Sequence, residues 1–447
     1  MKVDKPFYRK LFSLVLPIAM QNFMNAVVSA SDALMLGFEG QTALSAVSLA
    51  TQVQFVLNLF FAALTSGMTV LAAQYWGKKE VTALEHVLAA ALRCSFAVSF
   101  LFFLAAAAVP EFLMRIFTND QGLVGMGASY LRVVSVSYLC MGVSQVYLCI
   151  MKNSGRTLRS TIYGSAAVLL NLILNGILIF GAFGAPKMGI QGAALATLIS
   201  RMIVLMLVLR ENGGKGVVRI RWEYVRKPME MLKRDYYHYT IPVLANILAW
   251  GCGFTMFSVI MGHLGEEAVA ANAVANIVKN IISCFCLGIG AGSGIIVGNE
   301  LGKGDLDRAR QYGGKLCRTA VAAGVLSGLF LLMCTPLIFA FAPNLCGQAE
   351  AYLRVMLFIC SYYLIGKSVN STVVAGIFCA GGDTRFGMCC DAVTMWMVIV
   401  PVGAVAAFVL KLPVLWVYFL LNLDELIKLP AVYRHYKKYA WVKNLTK

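Results

Sequence analysis

Charge is what this sequence has least of. Across 447 residues only 13% are Asp, Glu, Lys or Arg, against about 25% in a typical soluble domain. Hydrophobic residues make up 60%, more than a water-soluble chain of this length can hide from solvent. The shortage excludes an ordinary cytosolic enzyme, a coiled coil and a disordered chain. Histidine is scarcer still, with His86, His238, His263 and His435 far apart. The 13 cysteines form no CxxC pair and no Cys/His ligand spacing, so no metal site is expected. Most cysteines lie in apolar runs and read as small buried hydrophobes. Period-two alternation is missing, which excludes an outer-membrane barrel. No catalytic constellation is visible either. The glycine run Gly288–Gly294 lies inside an apolar stretch, without a preceding strand or a Walker lysine, and reads as close helix packing. The chain is therefore not expected to be an enzyme or to need a cofactor. Without a nucleotide-binding domain, any transport runs on an ion gradient or is passive.

What is present is long apolar runs. About 20 such residues span a bilayer core of about 30 Å. Twelve candidates fall near 12–37, 44–75, 87–109, 124–151, 160–181, 189–210, 240–262, 268–300, 317–342, 351–379, 387–410 and 413–430. The basic start, Met1–Lys5, precedes a run too long for a signal peptide, so the first span is read as retained.

The net charge of +17 follows from sidedness. One set of connecting segments holds 28 Lys and Arg, and the alternate set holds only Arg115, Lys187 and Lys411. By the positive-inside rule both termini are cytoplasmic, in an inner or plasma membrane. The basic charge then needs no nucleic acid.

A repeat is also present. At a shift of 225 residues Pro17 meets Pro242, Gly67 meets Gly292, and Gly77-Lys78 meets Gly302-Lys303. The predicted fold is all-α: twelve transmembrane helices in two six-helix bundles, related by a pseudo-twofold axis along the membrane normal. The bundles are 1–210 and 240–430, joined by a polar cytoplasmic linker, 211–239, and followed by a basic tail, 431–447. A monomer is expected, in contact with membrane lipid and small-molecule substrates.

Polar side chains within the spans mark candidate sites, because they are costly in hydrocarbon. Gln21, Asn25, Ser29 and Asp32 recur at helical steps on one face of the first span. The repeat-related residues are Asn246, Trp250, Phe254 and Phe257, so a polar stripe has become mainly aromatic. Asp32 is the clearest functional candidate; the plainer reading pairs it with Arg132 or Arg201. Asn171 and Asn175 share a face of the fifth span, and Thr197 lies in the sixth. Counted from the outer ends, Asp32, Asn175, Thr197 and Asn171 lie at depths of roughly 7, 9, 12 and 15 Å. The four can meet, or the last three can simply hold helices together. Asn58, Asn276 and Asn280 are further cavity candidates, with Gln21, Asn25, Trp250, Phe254 and Phe257. Lys367, Asp391, Asp424 and Glu425 read as buried pairs, and Lys428 as snorkelling.

These residues carry a resemblance. Ser31-Asp-Ala-Leu-Met-Leu-Gly-Phe-Glu-Gly40 with Ala43-Leu-Ser-Ala-Val47, Gly67-Met68 with Ala73-Gln74, Asn171-Leu-Ile-Leu-Asn175, Gly189-Ile-Gln-Gly-Ala-Ala-Leu-Ala-Thr197 and Ala380-Gly-Gly-Asp-Thr-Arg385 resemble, in order and spacing, the motifs of multidrug and toxic compound extrusion (MATE) transporters. The resemblance implies a twelve-helix exporter that exchanges a drug-like compound, often an organic cation, for sodium or protons. It implies an ion site at Asp32, Asn171 and Thr197. At position 175, where the family carries an acid, this chain has Asn. A seventh-helix acid found in some relatives is replaced by an apolar residue near Trp250.

The leading expectation is thus export of amphipathic, mainly cationic small molecules in exchange for protons, by alternating access. Sodium needs several oxygens and more negative charge than Asp32 alone supplies, and Asn175 brings no second charge. The rivals are a sodium-coupled version, a lipid-linked-sugar flippase, and, in a different class, a channel or a membrane-embedded enzyme.

The charge asymmetry makes a direct prediction. Impermeant maleimide applied to intact spheroplasts labels Cys346 and spares Cys317 and Cys389; the opposite pattern reverses the orientation.

Overall fold

A computed structural model describes residues 5–184, 186–214, 218–227, 229–341 and 347–446; Cys346 lies outside them. The described chain is helical throughout, with no strand assigned. Among the described residues eleven helices are long and apolar enough to cross a membrane. In chain order they are α1 (Lys5–Glu39), α2 (Gln41–Lys78), α3 (Val81–Ala108), α4 (Gln121–Asn153), α5 (Thr157–Phe180), α6 (Gly189–Asn212), α7 (Glu230–Gly262), α8 (Glu266–Gly302), α9 (Leu306–Phe341), α10 (Gln348–Phe378) and α11 (Thr384–Val409). The helices α10 and α11 include π-helical turns, over Ser371–Phe378 in the first and over Val393–Ile399 and Val405–Val409 in the second.

Local chemistry sets several of these limits. Asp120 caps α4, its carboxylate accepting from the N–H groups of Gly122 (2.8 Å) and Leu123 (3.1 Å). Gly181 closes α5 at φ +74°, a left-handed geometry that costs glycine little.

The expected twelfth span is interrupted. It forms α12 (Val414–Leu421), α13 (Asp424–Ile427) and α14 (Leu429–Lys437). Pro430, at the start of α14, has no N–H to continue a preceding helix. The breaks also set Asp424, Glu425 and Lys428 into a buried ion cluster. The seventh helix begins ten residues earlier than its apolar run, at Glu230. No helix breaker separates the polar residues from Pro242, so the helix extends through them.

Compact packing divides the chain into two units. The amino-terminal unit holds Gln21–Ala72 and Glu80–Thr240. Within it α3 packs on α4, α4 on α6, and α5 on α6. Part of the polar linker is tied down here. Glu85 accepts the N–H of Arg219 at 3.2 Å and pairs with the Arg221 guanidinium at 2.7 Å. The Tyr147 hydroxyl donates to the carbonyl of Val218 at 3.2 Å.

The carboxy-terminal unit holds Met1–Met20, Ala73–Lys79 and Ile241–Lys447. The helices α1 and α2 thus contribute residues to both units. Within the carboxy-terminal unit α8 packs against α9 and α10. The Gly288–Gly294 run is a close-approach surface: a Cβ at Gly288 would lie 3.0 Å from Ala19 Cβ, and one at Gly290 would lie 2.7 Å from the Ser371 carbonyl oxygen. The basic tail is also packed. Trp441 is fully buried, and Gln74, itself fully buried, holds the surrounding backbone. Its amide donates to the carbonyls of Ala380 (2.7 Å) and Lys443 (3.1 Å), and its oxygen accepts the Leu445 N–H at 2.7 Å. Sequence patterning missed this because the three partners lie more than 300 positions away.

Replacing Gln74 by Leu keeps the side chain's bulk but strands three backbone groups, one buried and two part-buried. The expected cost is about 2–3 kcal/mol, read as a lower melting temperature of the detergent-solubilised protein. An unchanged melting curve would show that Gln74 does not anchor the tail.

Candidate functional site

The first candidate site lies wholly in the amino-terminal unit, on α1, α4, α5 and α6. Asp32 is one turn from Ser29 and seven residues from the end of α1, with its side chain half-buried. Asn171 and Asn175 project from one face of α5, as their spacing of four requires. Asn175 is buried (2% exposed), so its amide groups must find partners within the protein.

The four polar residues singled out from sequence form one hydrogen-bonded row. The Asn175 amide donates to Asp32 Oδ1 at 2.7 Å and to Asn171 Oδ1 at 3.5 Å. The Asn171 amide donates to Thr197 Oγ1 at 3.3 Å, and the Thr197 hydroxyl donates to the Ala193 carbonyl at 3.0 Å. The row ends on the carboxylate, so the amide dipoles support negative charge at Asp32.

Neither arginine considered as a partner holds that carboxylate. Arg132 pairs with Glu111 at 2.5 Å, and among the described residues no Lys or Arg forms an ion pair with Asp32. A carboxylate within a membrane span that has an amide donor but no cation is poised to exchange a small cation. Asn175 Oδ1 is buried without a hydrogen-bond partner, which leaves an oxygen beside Asp32.

Sequence reasoning missed Tyr130. It is buried on α4 (5% exposed) and interacts with Thr197, Asp32 and Arg201. A tyrosine in an apolar span is an ordinary packing residue by pattern, so only the fold reveals this placement.

The remaining cavity candidates fall in different units. Gln21, Asn25 and Asn58 are in the amino-terminal unit. The Gln21 amide lies against Gly164, where any larger residue would collide with it, and its oxygen is buried without a partner. Asn25 and Asn58 are exposed on the protein surface. Trp250, Phe254, Phe257, Asn276 and Asn280 are in the carboxy-terminal unit. There the Asn276 amide donates to Asn272 at 3.1 Å, and Asn280 is exposed. The three aromatic residues form a stacked ladder along α7, with centroids 5.7 Å apart for Trp250–Phe254 and 6.4 Å apart for Phe254–Phe257.

Lys428 does not snorkel. It is 6% exposed and pairs with Asp391 (2.8 Å), Glu425 (3.3 Å) and Asp424 (3.9 Å). Burial of three acids draws the ammonium inward, because an unpaired charge there is costly. Lys367 pairs with Glu425 at 3.2 Å, in agreement with the buried-pair reading.

Comparison with known proteins bears on what this arrangement serves. The MatE family model matches residues 17–177 and 242–420. The two matched stretches begin 225 residues apart, the shift at which the sequence repeats. The chain is 24% identical to the Probable multidrug resistance protein YoeA of Bacillus subtilis, over 99% of this chain and 96% of that protein. It is 28% identical to the Probable multidrug resistance protein NorM of Thermotoga maritima, over 68% of this chain and 66% of that one. Among solved structures it is similar to the MATE transporter VcmN of Vibrio cholerae, with a TM-score of 0.89 and 17% identity, covering 99% of this chain and 98% of that one.

Proposed function

We infer function from one premise: this chain belongs to the MATE family of membrane transporters. We propose that it is a secondary active antiporter of the plasma membrane. It exports amphipathic drug-like small molecules by alternating access, in exchange for protons. The relatives named for multidrug resistance support the substrate class.

The observation that carries the proton reading is the Asp32–Asn175 contact at 2.7 Å, with no cation partner on the carboxylate among the described residues. Protonation removes a charge from an apolar span, and deprotonation is eased by the amide that faces the anion. Coupling requires only that the proton bind more tightly in one conformational state than in the other. Proton and substrate affinities are then linked reciprocally, so a substrate that favours the opposite state promotes proton release.

The sodium-coupled reading has one observation in its favour, the unpartnered Asn175 Oδ1. With Asp32, Asn171 and Thr197 it offers oxygens at one place. It supplies no second negative charge, and in the present arrangement the amide nitrogen, not the oxygen, faces Asp32.

Dye efflux from proteoliposomes with proton and sodium gradients imposed separately distinguishes the two. The proton gradient drives export in the unmodified protein. Asp32→Asn abolishes gradient-driven export while expression and folding stay near normal, since shape is kept and only the charge is removed. Asn175→Asp adds the missing charge and increases the response to sodium. Export that follows sodium at fixed pH and ignores the proton gradient overturns the choice of ion. Normal transport by Asp32→Asn overturns the site.

A further inference from the structure

The carboxy-terminal unit holds a second constellation that proton exchange at Asp32 does not use. Its base is the ladder Trp250–Phe254–Phe257, three rings stacked nearly parallel along α7 (interplanar angles 17° and 13°). Trp250 and Phe254 are half-buried, while Phe257 is closed in at 9% exposure. A lysine ammonium stands over each end. Lys367 Nζ is 5.3 Å from the Trp250 ring centroid, and Lys279 Nζ is 5.8 Å from that of Phe257.

The lysines are unequally compensated. Lys367 reaches Glu425 at 3.2 Å, but that carboxylate also takes Lys428 at 3.3 Å and the Asn370 amide at 2.7 Å. Lys279 is 6% exposed and has no carboxylate within 4 Å among the described residues. Its neighbours are the Asn422 side-chain oxygen at 3.4 Å and the face of Tyr363 at 4.7 Å. Asp424 and Glu425 act on it only at longer range. The three lysines and three acids of this cluster balance in number, but the acids collect around Lys428. The ladder end is therefore positive, and the Lys428 end holds the negative charge.

A stacked aromatic surface selects planar rings. An ammonium without a carboxylate partner among the described residues, as at Lys279, selects an anion in a low-dielectric setting and repels a cation. The repeat-related face of the other unit carries Asp32 where this one carries Phe257, so the matched positions differ in charge.

We propose that the Trp250–Phe254 face with Lys367 and Lys279 is a subsite for a planar aromatic acid. The ring lies along Trp250 and Phe254. Its carboxylate is taken by Lys367, the more accessible of the two lysines at 20% side-chain exposure. Lys279 supplies the second positive charge from the Phe257 end. This assignment rests on the transporter reading and narrows its substrates to amphipathic molecules that carry an aromatic acid group.

The test is equilibrium binding to the full-length detergent-solubilised protein, using 2-naphthoate, its neutral analogue 2-naphthamide and the cation 2-naphthylmethylammonium. Naphthoate is expected to bind about tenfold or more tightly than either analogue. Lys279→Gln removes the charge but keeps a hydrogen-bond donor, and is expected to reduce that preference to less than about threefold, with naphthamide unaffected. Phe254→Leu weakens naphthoate and naphthamide together. Equal binding of the three ligands, or a preference for the cation, overturns the proposal. So does a Lys279→Gln protein that still binds naphthamide and keeps the full preference for naphthoate. The ranking of the three ligands on the unmodified protein needs no variant and decides the charge preference even if a substitution prevents folding. Repeating the ranking with Asp32→Asn separates the two readings. Binding that persists when export is lost supports the subsite independently of coupling. Loss of the naphthoate preference with intact gradient-driven dye export removes the subsite and leaves the transporter.

Discussion

A charge placed in hydrocarbon must be answered within the protein, and the organisation of this chain follows from that constraint. Removing a carboxylate or an ammonium from water costs several kcal/mol even after relaxation. The two units meet the cost differently. In the carboxy-terminal unit, Asp391, Asp424 and Glu425 are gathered on Lys428, and Glu425 also takes Lys367. In the amino-terminal unit Asp32 receives the Asn175 amide and, among the described residues, no Lys or Arg. The first arrangement pairs its acids with ammonium groups and is costly to disturb. The second leaves a carboxylate supported by an amide alone, on which the proposed proton exchange rests.

The same constraint explains where the last span departs from a simple helix. Four ionisable or amide side chains, Asn422, Asp424, Glu425 and Lys428, fall within seven positions of an otherwise apolar segment. Helical spacing already sets Asp424 and Glu425 one turn before Lys428, at i,i+4 and i,i+3. The breaks between α12, α13 and α14 leave all four buried, with Lys428 on the three acids and Asn422 facing Lys279. The polar groups thus override an apolar run that hydropathy alone reads as continuous.

Much of the fold was legible because a bilayer imposes a length on every span and a side on every connecting segment. Eleven of the twelve expected runs coincide with long helices, and the repeat reappears as two matches to one family model. The Asp32, Asn171, Asn175 and Thr197 row was legible as a possibility, since helical spacing and depth set each residue on a face and at a level. Which partners they chose was not. Tyr130 carries no pattern that separates it from packing tyrosines. Lys428 looked like a snorkelling lysine, but Asp391 of α11 joins Asp424 and Glu425, one turn before it, in closing on the ammonium. The polar linker and the basic tail gave no sign of their packing, because their anchors, Glu85 and Gln74, are remote in sequence. Periodicity reports how one helix sorts its own faces; it is silent on contacts between distant segments.

The divergence between the repeats carries the argument furthest. Two halves built on one plan share helix packing, so the plan itself does not dictate polarity at matched positions. One half keeps Gln21, Asn25, Ser29 and Asp32 on a helix face, and the other carries Asn246, Trp250, Phe254 and Phe257. Around the second face the protein has added Lys279 and Lys367, which must be desolvated. A purely structural face would be cheaper without them, because hydrophobic residues of similar volume pack as well and carry no desolvation penalty. On the proposed reading the two halves answer ligands of opposite sign: a small cation at the Asp32 carboxylate, and an aromatic anion at the lysines that α8 and α10 bring beside the matched face. Coupling would then be the free-energy link between those two ligands, each favouring its own conformational state.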